Sequence, residues 1–322
     1  MQRVTEPSRV AAWRVRSHEV CIAMSREWQQ VLAAVWLAAL LLLGAPAARA
    51  QEPLQEETEN PTATAPKHSD IAAEFSDPLT TLPQIFVNDA YTPENHGTEA
   101  ETNRLTARII VPRVPESSLL PFVQLIRPSF SVVTAPTGQR DQTRTSFGDM
   151  QLFDLAVIPW PDRKKSGLLM GVGPIFVFPT ATHREAGQGA WQAGPAFAAI
   201  YKGIPGLLVG ALVQNPISFA YTAKDRESVN TLLVQPIALL YVGKGFYLKS
   251  ADATWVRGWN DDQPTLLPVS FGVGHVTVRD GWPPLNVFAS GEYMAWRDDA
   301  PVAAEWTARV GVTVAFPEWR PW

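Results

Sequence analysis

The chain has 322 residues, 46% of them apolar and 18% charged, and a formal net charge of −4. Residues 1–50 hold six of its 27 Lys/Arg and three of its 31 Asp/Glu, which leaves 21 basic and 28 acidic residues beyond them, a net charge of −7. That balance argues against a nucleic-acid partner, which calls for a basic stripe. The single cysteine, Cys21, excludes disulfides, thiolate metal sites and a catalytic thiol from residues 51–322.

The first predicted element is an export signal. The apolar block from Val31 to Leu43 ends in Gly44-Ala45-Pro46-Ala47-Ala48-Arg49-Ala50, whose small residues suit cleavage just before Gln51. A helical membrane span needs about 20 apolar residues, so this block is too short to be one. An uncleaved anchor is the competing reading. Met24, followed by Ser25 and Arg26, makes a better start for such a signal, with residues 1–23 as an upstream extension. No cysteine lies near the cleavage site, which argues against a lipid anchor. Residues 51–82, rich in Glu, Pro and Thr, are expected to be a disordered acidic leader outside the fold, either a tether or a plug that enters it.

From about Gln84 the texture changes to apolar-rich segments separated by Gly, Pro, Asp and Asn, which are strand signals. Twelve strands are predicted, near 83–91, 103–113, 121–134, 148–159, 167–179, 190–202, 206–219, 229–242, 245–257, 264–279, 285–297 and 304–316. The last has the clearest period of two. Trp306, Ala308, Val310, Val312, Val314 and Phe316 share one face; Thr307, Arg309, Gly311 and Thr313 share the other. In 285–297, Leu285, Val287, Ala289 and Tyr293 oppose Asn286, Ser290 and Glu292. In 264–279, Leu267, Val269, Phe271 and Val273 oppose Pro268, Ser270, Gly272 and Gly274, small residues that let another strand or a ligand approach. Alternation is less clean in 229–242, where Leu233 and Ile237 share a face with Gln235, as bulges or a partly apolar lumen would produce.

Short connections (114–120, 160–166, 203–205, 243–244, 280–284) alternate with longer or more polar ones (92–102, 135–147, 180–189, 220–228, 258–263, 298–303). That is the layout of an up-and-down barrel with tight periplasmic turns and looser outer loops. Trp160, Trp191, Tyr201, Tyr241, Phe246, Trp255, Trp296, Trp306 and Phe316 fall near strand ends, where amphipathic rings meet membrane interfaces. The expected fold is therefore all-β: an antiparallel transmembrane β-barrel of about 12 strands over residues 83–322. A soluble β-sandwich is the alternative, since aromatics favour any sheet.

From Gly148 to Pro317 the wording resembles a family of Gram-negative outer-membrane proteins, labelled transporter or meta-pathway of phenol degradation. The matching phrases are Gly148-Asp149-Met150-Gln151-Leu152-Phe153, Gly171-Val172-Gly173-Pro174 through Pro179-Thr180-Ala181-Thr182, and Gly189-Ala190-Trp191 with Gly194-Pro195-Ala196. Further on come Gly210-Ala211-Leu212-Val213-Gln214-Asn215, Val234-Gln235-Pro236, Gly245-Phe246-Tyr247-Leu248, and Leu267-Pro268-Val269 with Gly272-Val273-Gly274. Residues 1–82 have no counterpart. The resemblance implies a barrel that passes small, often hydrophobic or aromatic, molecules across the outer membrane, and it brings no ligand-binding motif with it. One departure is the end: Phe316 closes the last strand but Pro317 to Trp322 follow, so either Trp322 is the aromatic assembly signal or the tail interferes with it.

The candidate functional residues are charges on strands: Arg108, Arg127, Asp149, Asp154, Lys249, Glu292 and Arg309. A lipid-facing Arg or Lys at mid-bilayer costs about 2–4 kcal/mol, so such charges are expected to line the lumen. There they either pair with one another or line a solute path. An enzyme is the rival: His183, Arg184 and Glu185 share an outer loop and His275 ends a strand, but Gly-x-Ser-x-Gly and His-Glu-x-x-His are absent after residue 50. The acidic pairs Asp225/Glu227 and Asp261/Asp262 suit calcium or lipopolysaccharide cations, or plain turns. The expected function is passive passage of small molecules, with no cofactor, metal or catalytic residue. The expected partners are outer-membrane lipid, a small solute and the barrel-assembly machinery; a hydrolase and a non-transport structural barrel are the alternatives.

Overall fold

The computed structural model describes residues 74–75, 77, 79–113, 123–138, 142–158, 167–260 and 263–317. The export signal, leader residues 51–73, Trp160, the Asp261-Asp262 pair and the tail after Pro317 lie outside the described residues. Alternating β-branched or aromatic residues with small or polar ones give these strand segments: β1 (Gln84–His96), β2 (Thr102–Arg113), β3 (Gln124–Pro136), β4 (Thr143–Phe147), β5 (Met150–Val157), β6 (Leu168–Phe178), β7 (Ala190–Ile204), β8 (Leu207–Gln214), β9 (Ile217–Tyr221), β10 (Thr231–Gly243), β11 (Phe246–Ser250), β12 (Trp255–Gly258), β13 (Thr265–Thr277), β14 (Leu285–Asp298) and β15 (Ala303–Ala315).

All pair antiparallel, and β1 bonds both β2 and β15, so the sheet closes on itself. Three passes are interrupted: β4 and β5 both lie along β3, β8 and β9 along β7, and β11 and β12 between β10 and β13. Counting each interrupted pass once gives a closed barrel of twelve strands, as the alternation predicts. The β8–β9 break falls at Asn215-Pro216, where proline has no N–H to give the ladder.

Two boundaries differ from expectation. β1 continues to His96, past a register shift at Pro93, into the predicted outer loop. β4 occupies residues expected to be loop, pairing with β3 through a Thr134–Thr145 hydroxyl contact of 2.7 Å. Its sequence, Thr-Arg-Thr-Ser-Phe, alternates no apolar face and so carries no strand signal.

The outer face is apolar and exposed. Phe130, Val172, Phe197, Phe219, Val269, Phe271 and Val273 all stand out from strand positions, with Phe271 at 64% exposure. Among the aromatics expected at interfaces, Trp191, Tyr201, Phe246, Trp255 and Trp296 are exposed. Tyr241 instead turns inward, its ring 6.0 Å from that of the fully buried Tyr247. On β1 and β2 the outer face carries polar groups, each held by a neighbour: Asn103 donates to Asp89 (3.2 Å) and Tyr91 to Glu101 (2.6 Å).

The end bearing the short turns is filled. Leu125, Phe153, Leu155, Ile200, Leu208, Leu212, Ile237, Leu239, Tyr247 and Val276 form one inward cluster. The untidy alternation of 229–242 is thereby resolved: Ile237 and Leu239 join an apolar inner wall, while Gln235 donates to the Ala251 carbonyl (2.6 Å). Phe75 and Leu79 join the same cluster, although they lie in the segment read as leader. Asp77 and Thr80 are buried beside them, at 2% and 1% exposure.

The inward glycines do not leave space for another strand. A Cβ on Gly274 would collide with the Tyr247 ring, and one on Gly311 with the Phe288 ring, so both rings lie flat against the wall. Tyr247 also donates to Asn286 Oδ1 at 2.8 Å. Tyr247→Phe is expected to lower the unfolding free energy by about 1 kcal/mol. Gly274→Val, which overpacks the ring, should cost about 1–3 kcal/mol. Denaturant midpoints of the detergent-folded barrel check the order of the two.

Candidate functional site

Strand register brings charged side chains from distant parts of the chain onto one inner wall. Ala90 on β1 pairs with both Arg104 and Arg309, which therefore stand level. Arg108 lies four residues along β2 and pairs with Ser129, two residues from Arg127 on β3. The arginines thus descend from the middle of the barrel toward its filled end. Arg104 reaches Ser131 Oγ (3.4 Å), and Arg108 donates from Nε to Ser129 Oγ (3.3 Å).

Aromatic rings interleave with these cations. Arg108 lies 5.1 Å from the Phe86 ring centroid, and the Phe86 and Phe288 rings stack at 5.9 Å. Lys249 sits 3.4 Å over the other ring of that stack. Arg127 covers Phe153 at 4.4 Å. Such cation–ring contacts are worth about 2 kcal/mol or more when water is excluded.

Two inward carboxylates offset part of this charge. Lys249 Nζ is 2.9 Å from Asp252, which also accepts from Ser290 Oγ (2.6 Å), and Arg309 is 3.6 Å from Glu292. Arg104, Arg108 and Arg127 have no carboxylate within ion-pair distance among the described residues. Arg127, 7% exposed, has an Nε without a hydrogen-bond partner.

The structure brings together Arg108, Arg127, Lys249, Glu292 and Arg309 of the sequence-derived set. Of the other two, Asp149 stands at the rim of this wall, within electrostatic reach of Arg104, and Asp154 faces the other way. Asp149 falls in the break between β4 and β5, where its carboxylate accepts backbone N–H groups of Ala181 (3.1 Å) and Gln188 (2.8 Å) and so pins an outer loop. Asp154 pairs with Ile126 and accepts from Gln124 Nε2 (2.7 Å), on the opposite face from Phe153 and Arg127. Its position near the end of the strand is one where an outward charge would cost little even in a bilayer. Sequence reasoning passed over Arg104, although its spacing of four from Arg108 puts both on one face, and Asp252, three residues after Lys249.

A second polar cluster closes the short-turn end. Lys202, inward on β7, pairs with Asp77 (2.5 Å) and Glu74 (3.1 Å). Thr80 donates to Glu74 (2.6 Å), and Asp77 accepts the Leu79 N–H (2.8 Å). Leu79 fills the place that a side chain at Gly171 would occupy.

Among the described residues, the histidines do not form a common site. His183 lies in the outer loop beside Arg144, and His275 at the other end, its ring 4.4 Å from Phe246. Arg184 bonds Asp225 in the outer loops; that bond holds the Asp225 carboxyl below, and the Arg184 guanidinium above, their usual ranges. Among the described residues there is no cluster of three metal-ligating side chains.

No family model matches the chain, and no curated protein does. Several solved structures are similar to it in architecture. The NanC porin is 13% identical with a TM-score of 0.47, covering 72% of this chain and 100% of its own. An outer membrane channel from Pseudomonas putida F1 is 12% identical with a TM-score of 0.49, covering 75% and 98%. The KdgM porin is 10% identical with a TM-score of 0.41, covering 72% and 99%.

Proposed function

We propose that this chain is a passive outer-membrane channel for small, hydrophobic or aromatic molecules. The observation that supports it best is the inner wall itself. A barrel stabilised only by packing would fill its middle with apolar side chains, whereas here Phe86, Phe288 and Phe153 share the wall with five cations. Twelve strands lie between barrels that side chains fill and those wide enough for an open channel. The sequence resemblance to the transporter family supports the same solute class. The apolar outer belt suits lipid, and an export signal cleaved after Ala50 would deliver the chain to the barrel-assembly machinery.

The filled short-turn end favours a second reading, a non-transport structural barrel. Purified protein that shows a boiled-against-unboiled mobility shift is folded; in a planar bilayer it should then give discrete conductance steps. A folded barrel that stays silent at every potential removes the channel reading and leaves the structural one.

A further inference from the structure

We infer that the lumen is an anion path, selecting small organic anions with an apolar or aromatic body; this rests on the channel reading above. The charge on the wall runs against the charge of the chain. Residues 51–322 are acidic by seven charges, yet among the described residues the barrel wall presents Arg104, Arg108, Arg127, Lys249 and Arg309 against Asp252, Glu292 and, at the outer rim, Asp149.

Internal pairing does not account for this set. Each carboxylate has its own cation, Asp252 with Lys249 and Glu292 with Arg309. Three arginines remain without an ion pair among the described residues: Arg104 and Arg108 contact hydroxyls and feel Asp149 and Asp252 from beyond pairing distance, while Arg127 lies on a ring with its Nε buried without an acceptor. A buried guanidinium donor without a partner is costly and is what an incoming oxyanion satisfies. The level pair Arg104/Arg309, then Arg108, then Arg127 offer such an anion successive sites along one wall. Phe86, Phe288 and Phe153 lie directly against those cations, so a solute carrying both an anionic group and an apolar ring meets a complement to each. Asp149 at the outer rim acts on the charge of Arg104 from beyond ion-pair distance, and its oxygens are engaged by backbone N–H groups, so it offsets only the first step of the ladder.

The test is flux of two rigid, membrane-impermeant aromatic probes from proteoliposomes holding the full chain: benzenesulfonate and phenyltrimethylammonium. A cleft lined by one sign of charge enriches its counter-ion about tenfold or more, so benzenesulfonate should pass at least about tenfold faster. Arg108→Gln and Arg127→Gln, alone and together, should bring the two fluxes severalfold closer, while Arg108→Lys should keep the preference. Should Arg127→Gln fail to fold, the wild-type ratio and the Arg108 variants decide alone. Equal passage of both probes, or faster passage of the cation, overturns the anion inference and leaves the channel standing. Passage of neither overturns the channel itself.

Discussion

A chain lacking residues 74–82 should conduct severalfold more than the full chain, because Glu74, Phe75, Asp77 and Leu79 fill the short-turn end. Phe75 and Leu79 are 6% and 3% exposed within the barrel's own apolar cluster, and burying such side chains stabilises by about 1.5–3 kcal/mol each. The segment is also latched electrostatically, with Lys202 between Asp77 and Glu74. A milder variant separates the latch from the packing. Lys202→Glu would face two carboxylates with a third, and breaking a buried pair in this way costs about 3–5 kcal/mol. It should therefore release the segment without shortening the chain, and its single-channel conductance should approach that of the deletion. Gly171→Leu, which occupies the seat of Leu79, should act in the same direction. Unchanged conductance in the deletion and in Lys202→Glu would show that the segment does not bar the path.

The second large effect concerns the outer face. Phe271 is the seventh of thirteen residues in β13 and is 64% exposed, so in a bilayer its side chain meets hydrocarbon at mid-depth. Phe271→Arg should destabilise the inserted barrel by about 2–4 kcal/mol, whereas a charge near an interface costs about 0–1 kcal/mol. Trp282, 69% exposed in the turn before β14, supplies that second case. Unfolding by urea from lipid vesicles should thus show a marked loss for Phe271→Arg and almost none for Trp282→Arg. Equal behaviour of the two variants would mean that this face does not lie in lipid, and that the barrel is soluble.

Legibility in the sequence tracked how local each feature is. The passes of β13, β14 and β15 could be read almost residue by residue, because small or polar residues alternate there with apolar ones over most of their length, inward Val276 and Phe288 being exceptions. β4 could not be read, since the strand signal is an alternating apolar face and Thr143–Phe147 has none. Asp154 faces outward rather than into the lumen for a related reason: charge on a strand implies the lumen only away from the strand ends, and near an end a carboxylate with Gln124 as partner is tolerated outside. Inward glycines signal clearance for a strand or ligand, and Tyr247 and Phe288 fill that clearance from neighbouring strands.

What the sequence by itself determined is the barrel: twelve passes, their order, and the face that most side chains take. These follow from the two-residue period of the pleat and from turn chemistry, both readable within a dozen residues. Only the tertiary structure decided which inward groups meet. Arg108, Phe86, Phe288 and Lys249 come from four different strands and touch only because closure carries β14 and β15 round to β1. It also decided that Glu74 and Asp77 fill the short-turn end. Glu74 lies 128 residues from its partner Lys202, and no local pattern of charge or hydropathy specifies a contact at that distance along the chain.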